Sequence, residues 1–269
     1  MEVRLAGRSW RLTGDPGDSY FRHIADHAAA MAEMTAIAAA LLPAQGVALD
    51  VGANLGLTAI AFAALAPQGR VIAVEPAPRT FAALRANLAA NGLDGRVAAE
   101  GVALAAAPGE VAFHAEPDHS AGAKLVSDRA LDRARLAPET VRAETLDALV
   151  ARHGLGRLDL IKVDVEGFEG DVLDGAAATL ARFRPACIVE FNAWTLLCNR
   201  DANPRHVLEA WLARFPFVHA FRGQAAPQRV TAETALGFLH DHLVQRRCAD
   251  DLVLSFDAAW LGRWRPPAG

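Results

Sequence analysis

The run VALDVGANLGLTAIAFAALAPQGRVIAVEP, Val47 to Pro76, decides the fold. VALDV (Val47–Val51) is short and almost wholly apolar, as a parallel strand buried on both faces should be. A glycine-bearing turn follows, then an apolar helical pattern through Leu65, then a second strand, RVIAVE (Arg70–Glu75). Strand, turn, helix and strand in that order form the repeating unit of a parallel sheet covered by helices.

The same alternation continues outward. A helix is predicted from Pro78 to Ala90, stopped by Asn91-Gly92. Arg96–Leu104 reads as a third strand, Val111–Phe113 as a short extra one, and LDLIKVDV (Leu158–Val165) as a fourth. That strand runs into a helix expected over about Gly167–Arg182, and ACIVEF (Ala186–Phe191) is a fifth strand. A helix near His206–Phe215, a strand at Phe217–Phe221, a helix near Thr231–His242 and a strand at Leu252–Phe256 complete the pattern. The expected fold is therefore α/β: a Rossmann-like, doubly wound, mostly parallel seven-stranded sheet with helices on both faces.

Composition narrows the function classes. With 269 residues, 52% hydrophobic and 22% charged, the chain can bury a large core, and wholesale disorder is excluded. A net charge of −4 argues against a nucleic-acid partner, because phosphate neutralisation needs a basic excess. Cys187, Cys198 and Cys248 form no CxxC pair, so free thiols and a cytoplasmic setting are expected. Met1–Trp10 lacks the apolar segment of a signal peptide. Ala28–Ala44 is mostly alanine, contains Glu33, and is short for a bilayer, so a capping helix and no membrane association are expected. Nothing in the sequence speaks to oligomeric state.

In such sheets ligands bind outside the carboxyl ends of the strands. Those ends are Asp50–Gly56, Glu75, Glu100–Val102, Asp164–Gly167 and Glu190–Asn192, and each of the five carries an acid. The glycine turn departs from the dinucleotide fingerprint, which needs glycines where Asn54 and Leu57 stand. That weakens an NAD(P)-dependent oxidoreductase, the runner-up reading. Glu75 can accept hydrogen bonds from both hydroxyls of an adenosine ribose, a geometry common to several adenosine ligands. A non-catalytic adenosine-binding module is a third reading, disfavoured by these strand-end acids.

At these residues the sequence resembles a known family. DVGANLG (Asp50–Gly56), VIAVEP (Val71–Pro76), LDLIKVDVEGFEGDVLDGA (Leu158–Ala176) and PACIVEFN (Pro185–Asn192) are similar to FkbM-type methyltransferases, a branch of the class I S-adenosylmethionine-dependent enzymes. VRAETLDALV (Val141–Val150) resembles the family's lead-in to the fourth strand. The resemblance implies methylation of a hydroxyl on a small metabolite such as a sugar or polyketide, with S-adenosylmethionine as donor. It implies that Asp50, Gly52, Asn54 and Gly56 form the loop under the donor's methionine part. Glu75 and Pro76 would hold the ribose, and Glu100, Gly101 and Val102 would flank the adenine. Asp164 and Glu166 would sit beside sulfonium and acceptor. Residues 47–269 are then a methyltransferase domain with a C-terminal extension, behind an N-terminal helical cap of residues 1–46.

The chemistry is compatible. The donor has no pyrophosphate, so a multi-glycine cradle is unnecessary, and its sulfonium suits a rim of carboxylates. Methyl transfer to oxygen also needs a base. Asp164, Glu166 and Glu190 are the catalytic candidates. Asp164, Glu190 and Asn192 are oxygen donors at neighbouring strand ends that could instead hold Mg2+ to acidify the acceptor. Lys162 is expected to pack its stem and pair its head with an acid. The histidines, including His114, His119, His240 and His242, lack a third metal ligand at recognisable spacing. His119 lies in Pro117–Ser127, a loop expected as a lid, and is a reserve candidate for the base.

Overall fold

Alternation in the first residues, with Val3 and Leu5 buried and Glu2 and Arg4 exposed, builds a hairpin rather than a helix. Its strands are β1 (Glu2–Leu5) and β2 (Arg8–Arg11), turned by Ala6 and Gly7, both at positive φ. The computed structural model describes residues 1–114, 118–122, 124–125, 139–221, 223 and 225–267. Three helices follow the hairpin: α1 (Ser19–Arg22), α2 (Ile24–Ala30) and α3 (Ala32–Leu41). The expected cap helix is thus two helices, α2 and α3, bent by 48°, and no single helix among the described residues is long and apolar enough to cross a membrane.

The deciding run folds as read, giving β3 (Val47–Val51), α4 (Leu57–Leu65), β4 (Arg70–Val74) and α5 (Pro78–Ala90). The expected third strand is two. β5 (Val97–Glu100) pairs with β4, whereas β6 (Ala103–Leu104) leaves for a second sheet. The chain turns out at Gly101, where a Cβ would lie 3.1 Å from the Phe81 ring. The second sheet is completed by β7 (Gly109–His114), β8 (Lys124–Leu125) and β9 (Glu139–Glu144), in the order β6-β9-β7-β8.

After α6 (Leu146–Arg152) comes β10 (Leu160–Val163), then two helices, α7 (Glu169–Asp174) and α8 (Ala177–Phe183), where one was expected. Gly175 separates them by packing backbone to backbone: a Cβ there would lie 2.3 Å from the Ala105 carbonyl oxygen. The apolar positions Val172, Leu173, Ala176 and Leu180 run through the break, so the pattern looks continuous in sequence. The remainder is β11 (Ala186–Asn192), α9 (Ala193–Cys198), α10 (Pro204–Arg214), β12 (Phe217–Phe221), β13 (Gln228–Val230), α11 (Ala235–Val244) and β14 (Ala249–Ser255).

The main sheet has eight strands rather than seven, in the order β13-β12-β14-β11-β10-β3-β4-β5. The addition is β13, a three-residue edge strand too short to show a period. The five strands from β11 to β5 are parallel, and β14 enters antiparallel between β11 and β12. Alternate residues serve opposite cores. Ala48, Leu160, Ile188 and Val253 pack on one face with Leu5, Trp10, Ile24 and Ile37 of the N-terminal segment. Leu49, Ile161, Val189 and Leu252 pack on the other with Val172, Leu180 and Trp211. The three cysteines are unpaired thiols, with Cys187 buried in the sheet.

Asn87 and Asn91, on α5 and at its end, fasten the N-terminal segment, and Asn87 is the buried one. Asn87 is fully buried; its Oδ1 accepts from the Thr13 amide at 2.7 Å and the Thr13 hydroxyl at 2.9 Å. Its Nδ2 donates to the carbonyls of Thr13 at 3.0 Å and Leu55 at 2.9 Å. Asn87→Ala is expected to lower unfolding free energy by about 1–3 kcal/mol in denaturant titrations, since it orphans the buried Leu55 carbonyl and removes three part-buried bonds to Thr13. Hydrogen exchange should speed up first around residues 11–22; an effect below about 0.5 kcal/mol would contradict this anchoring role.

Candidate active site

The loops after β3 and β10 meet backbone to backbone. Gly52 adopts φ +79°, and a Cβ there would lie 1.9 Å from the Asp164 carbonyl oxygen. Its amide and that of Ala53 donate to the Val74 carbonyl at 3.0 and 2.9 Å, tying in the end of β4 as well. After β10, Glu166 is strained at φ 58° and Gly167 stands at φ 105° against Thr195. Buried Glu169 organises this turn by accepting from the amides of Val165 at 3.1 Å and Gly167 at 3.0 Å. Burial nonetheless pushes its carboxyl up to about 7.

These loops floor a cavity of about 330 Å³ lined by Gly52, Asn54, Glu75, Pro76, Val102, Asp164 and Glu166. Its roof comes from the N-terminal helices, through Tyr20, His27, Met31 and Met34, and from Ser120 and Ala121. Roof segments are tied together: Asp18 Oδ1 accepts from the amides of Tyr20 at 2.9 Å and Ser120 at 3.1 Å. His119 Nδ1 bonds the Ser19 hydroxyl at 2.8 Å and is outside the lining. The rest of the expected lid, at Pro117, Ala123 and residues 126–127, lies outside the described residues.

Other sequence candidates stand apart from the lining. Asp50 is fully buried beneath the loop, and Gly56 starts α4 against Leu84. Glu100 turns away to receive Arg152 at 3.0 and 3.1 Å and His153 at 2.7 Å. Burial opposes its ionisation, but these bonds win and hold the carboxyl below its ordinary value. Gly101 packs on Phe81. The expected Mg2+ set is not assembled. Asn192 Oδ1 instead caps α9 through the amides of Trp194 at 3.1 Å and Thr195 at 3.3 Å, and Asp164 pairs with Lys162 at 3.3 Å. Among the described residues no cluster of three His, Cys, Asp or Glu side chains can hold a metal ion. His242 is a buried structural group, bonded to Asp250 at 2.7 Å and receiving the Ala193 amide at 3.3 Å.

Charge in the site centres on Lys162. Its ammonium lies 3.1 Å from the Gly52 carbonyl, 3.3 Å from Asp164 and 3.6 Å from Asp50. Burial disfavours that charge, but the carboxylates outweigh it and raise the Lys162 pKa above its ordinary value. Glu75 Oε2 accepts from the Asn54 amide at 3.0 Å and Oε1 from the Ala77 amide at 2.9 Å. Burial pushes Glu75 up to about 7 against those bonds, and each oxygen keeps a further lone pair for a ligand. Asn54 Oδ1 and Ser120 Oγ are buried at the cavity without hydrogen-bond partners among the described residues. Such orphaned acceptors fit a polar occupant.

Among the lining groups that sequence reasoning missed are Tyr20 and Asp251. Tyr20, the single tyrosine, stacks on His27 with ring centroids 4.2 Å apart. Burial raises its phenol pKa, Lys162 opposing and Asp164 reinforcing. Asp251 lines the floor from β14. Burial and then Asp164 push it up to about 7, with Lys162 opposing. Its signal was present: β14 begins before Leu252, and extending the alternation by one step would have placed Asp251 on the cavity face.

A doubly wound α/β sheet with an open glycine loop and a carboxylate ending the adjacent strand defines a nucleoside-binding domain. The model of the methyltransferase FkbM domain matches residues 50–209, and the chain belongs to that family. It is 32% identical over 149 residues to the 2-O-methyltransferase NoeI of Sinorhizobium fredii, covering 51% of this chain and 60% of the relative. It is 33% identical over 153 residues to the 31-O-demethyl-FK506 methyltransferase FkbM of Streptomyces tacrolimicus, covering 48% and 58% respectively. The aligned parts thus span about three fifths of these relatives. A solved structure of the O-methyltransferase TomG from Streptomyces achromogenes, in complex with SAM, superposes with a TM-score of 0.49 at 15% identity, over 91% of this chain and 92% of that one.

The close approach at Gly52 is testable. Gly52→Ala is expected to cost about 3 kcal/mol or more, because backbone strain alone costs about 1–3 kcal/mol and the Asp164 turn must also shift. Gly92→Ala, at φ +66° with nothing within 4 Å, should show the strain alone. Equal costs in denaturant titrations would contradict the contact.

Proposed function

We propose that the chain transfers the methyl group of S-adenosylmethionine to a hydroxyl oxygen of a small metabolite. The observation that carries this reading is the buried Glu75 carboxylate at the end of β4, bonded to the Asn54 amide of the glycine loop and lining a cavity rimmed by acids. Glu75 would hold the ribose hydroxyls, while Gly52 and Asn54 would border the methionine part. Val102 would flank the adenine from the start of the second sheet. Asp164 and Glu166 face the same space, where carboxylates favour a sulfonium. The donor supplies an activated methyl group; the protein supplies alignment and a dry, acidic surround.

The kinship to a 2-O-methyltransferase and to a 31-O-demethyl-FK506 methyltransferase supports oxygen as acceptor and a small molecule as substrate. An NAD(P)-dependent oxidoreductase fits less well. Asn54 and Leu57 occupy the glycine positions, and the acidic rim would repel a pyrophosphate.

Calorimetry should detect S-adenosylhomocysteine binding, and Glu75→Ala should weaken it by about 10- to 100-fold as charge-assisted bonds are lost. The sign of the pH effect follows from Glu75 titrating at about 7 in the free chain. Ribose hydroxyls donate to the ionised carboxylate, so affinity should be full above that pH and fall by up to about tenfold per unit below it. Glu75→Gln should bind more weakly and lose that dependence. Mass spectrometry of hydroxylated small molecules incubated with labelled donor should place the methyl on oxygen. Saturable NADH binding with none for S-adenosylhomocysteine would overturn the reading.

A further inference from the structure

The cavity floor carries a group that donor binding leaves unexplained. In the antiparallel pairing of β11 with β14, Glu190 lies directly opposite Asp251. Side chains of such a pair share a face, with Cβ atoms about 4.5–5.5 Å apart. This is the face of Ile188 and Val253, toward the N-terminal helices. On the other side of β11, Asp164 ends β10 one step beyond the Val163–Val189 pair, so three carboxylates form a row.

The cations described near the row are engaged. Lys162 lies one pair below and bonds Gly52 and Asp164, and Arg246 pairs with Asp250. Among the described residues Glu190 Oε2 is buried without a partner, and Oε1 receives a 3.4 Å bond from Asn192. The Asp251 carboxylate has no hydrogen bond among the described residues and borders the cavity. The other charged or titratable groups around the pair are Glu166 and Glu169 beyond β10, Glu33 on α3, Asp250 on β14, which Arg246 and His242 engage at 3.2 and 2.7 Å, and Tyr20 and His27 in the cavity roof. With Lys162 and Arg246 bonded to other carboxylates, a proton is the neutralising partner left to the pair. Two adjacent carboxyls sharing a proton titrate as a unit, consistent with both being pushed upward.

We propose that Asp251, backed by Glu190, is the base that accepts the proton of the acceptor hydroxyl, an assignment that rests on the methyl-transfer reading above. As the acceptor oxygen forms its bond to the methyl carbon, the carbon–sulfur bond breaks and its electron pair stays on sulfur. The sulfonium becomes a neutral thioether, the hydroxyl becomes an ether, and the proton passes to a carboxylate oxygen of Asp251, then to water as products leave. The competing groups are placed less well. Asp164 is held in an ion pair with Lys162, Glu190 lies outside the lining, and His119 is bonded to Ser19.

The test uses the full chain in three measurements. Carboxyl NMR on protein labelled with carbon-13 at Asp and Glu side chains should show Asp251 titrating near neutrality. Glu190→Gln should lower that midpoint by about one pH unit or more, a direction that follows from removing a like charge. Calorimetry with S-adenosylhomocysteine should give affinities within about threefold for wild type and Asp251→Asn. Methyl transfer to phenol and to 4-nitrophenol is then compared at mildly alkaline pH, where the second is ionised and the first is not. Asp251→Asn should slow the phenol reaction by about 100-fold or more and the 4-nitrophenol reaction far less. An Asp251 midpoint in the ordinary carboxylate range, or unmoved by Glu190→Gln, overturns the proposal, as do equal losses on the two acceptors. Loss of S-adenosylhomocysteine affinity in Asp251→Asn also overturns it, by making the residue part of the donor site. Absence of S-adenosylhomocysteine binding by wild type is a separate result, which would sink the methyl-transfer reading itself.

Discussion

One buried ammonium group holds the carboxyl edge of the sheet together. Lys162 sits on β10, the strand between β3 and β11, and its head reaches the Gly52 carbonyl, Asp164 and Asp50 at once. Asp50 is fully buried, and the ammonium 3.6 Å away, assisted by the Ala59 amide in the first turn of α4, is its compensation. Breaking such a buried pair typically costs about 3–5 kcal/mol, far more than a surface pair contributes. The same contact fixes the two loops against each other. Gly52 can therefore approach the Asp164 backbone, the glycine loop stays open, and Glu75 keeps its bonds to Asn54 and Ala77.

The site built on that edge is asymmetric in charge. Glu75, Asp164, Glu166, Asp251 and, behind them, Glu190 surround a space in which Lys162 is already committed. A cationic occupant is favoured there and an anionic one is not. The roof differs in character, with Tyr20 stacked on His27 beside Met31 and Met34. A polar floor and an aromatic, thioether-lined roof divide the cavity into a side that does chemistry and a side that can grip an apolar surface.

How far the sequence could be read follows the range of the interactions involved. The unit from Val47 to Ala90 was legible because each strand is buried on both faces and each helix end is marked by its own residues, Pro78 and Asn91 among them. The places of Glu75 and Gly52 at the cavity were legible because they follow from their position in that unit. The hairpin at Glu2–Arg11 was not, because four-residue strands give too few periods. Nor was the split at Gly175, which is caused by a carbonyl 70 residues away in sequence, that of Ala105. Glu100 reads as a strand-end acid, yet Arg152 and His153 from the end of α6 draw it outward. Tyr20 and Asp251 reach the cavity from opposite ends of the chain, through the docking of the N-terminal helices and the insertion of β14. No local pattern encodes such meetings.

If the cavity above the Gly52 loop receives the methyl donor with its sulfur over the acid row, a crystal structure of the chain with S-adenosylhomocysteine will show density for the nucleoside with both ribose hydroxyls on Glu75, the adenine beside Val102, and the sulfur facing Asp164 and Asp251. A nucleoside bound elsewhere, or one in this cavity with its ribose on another carboxylate and its sulfur turned away from the acid row, would contradict that placement.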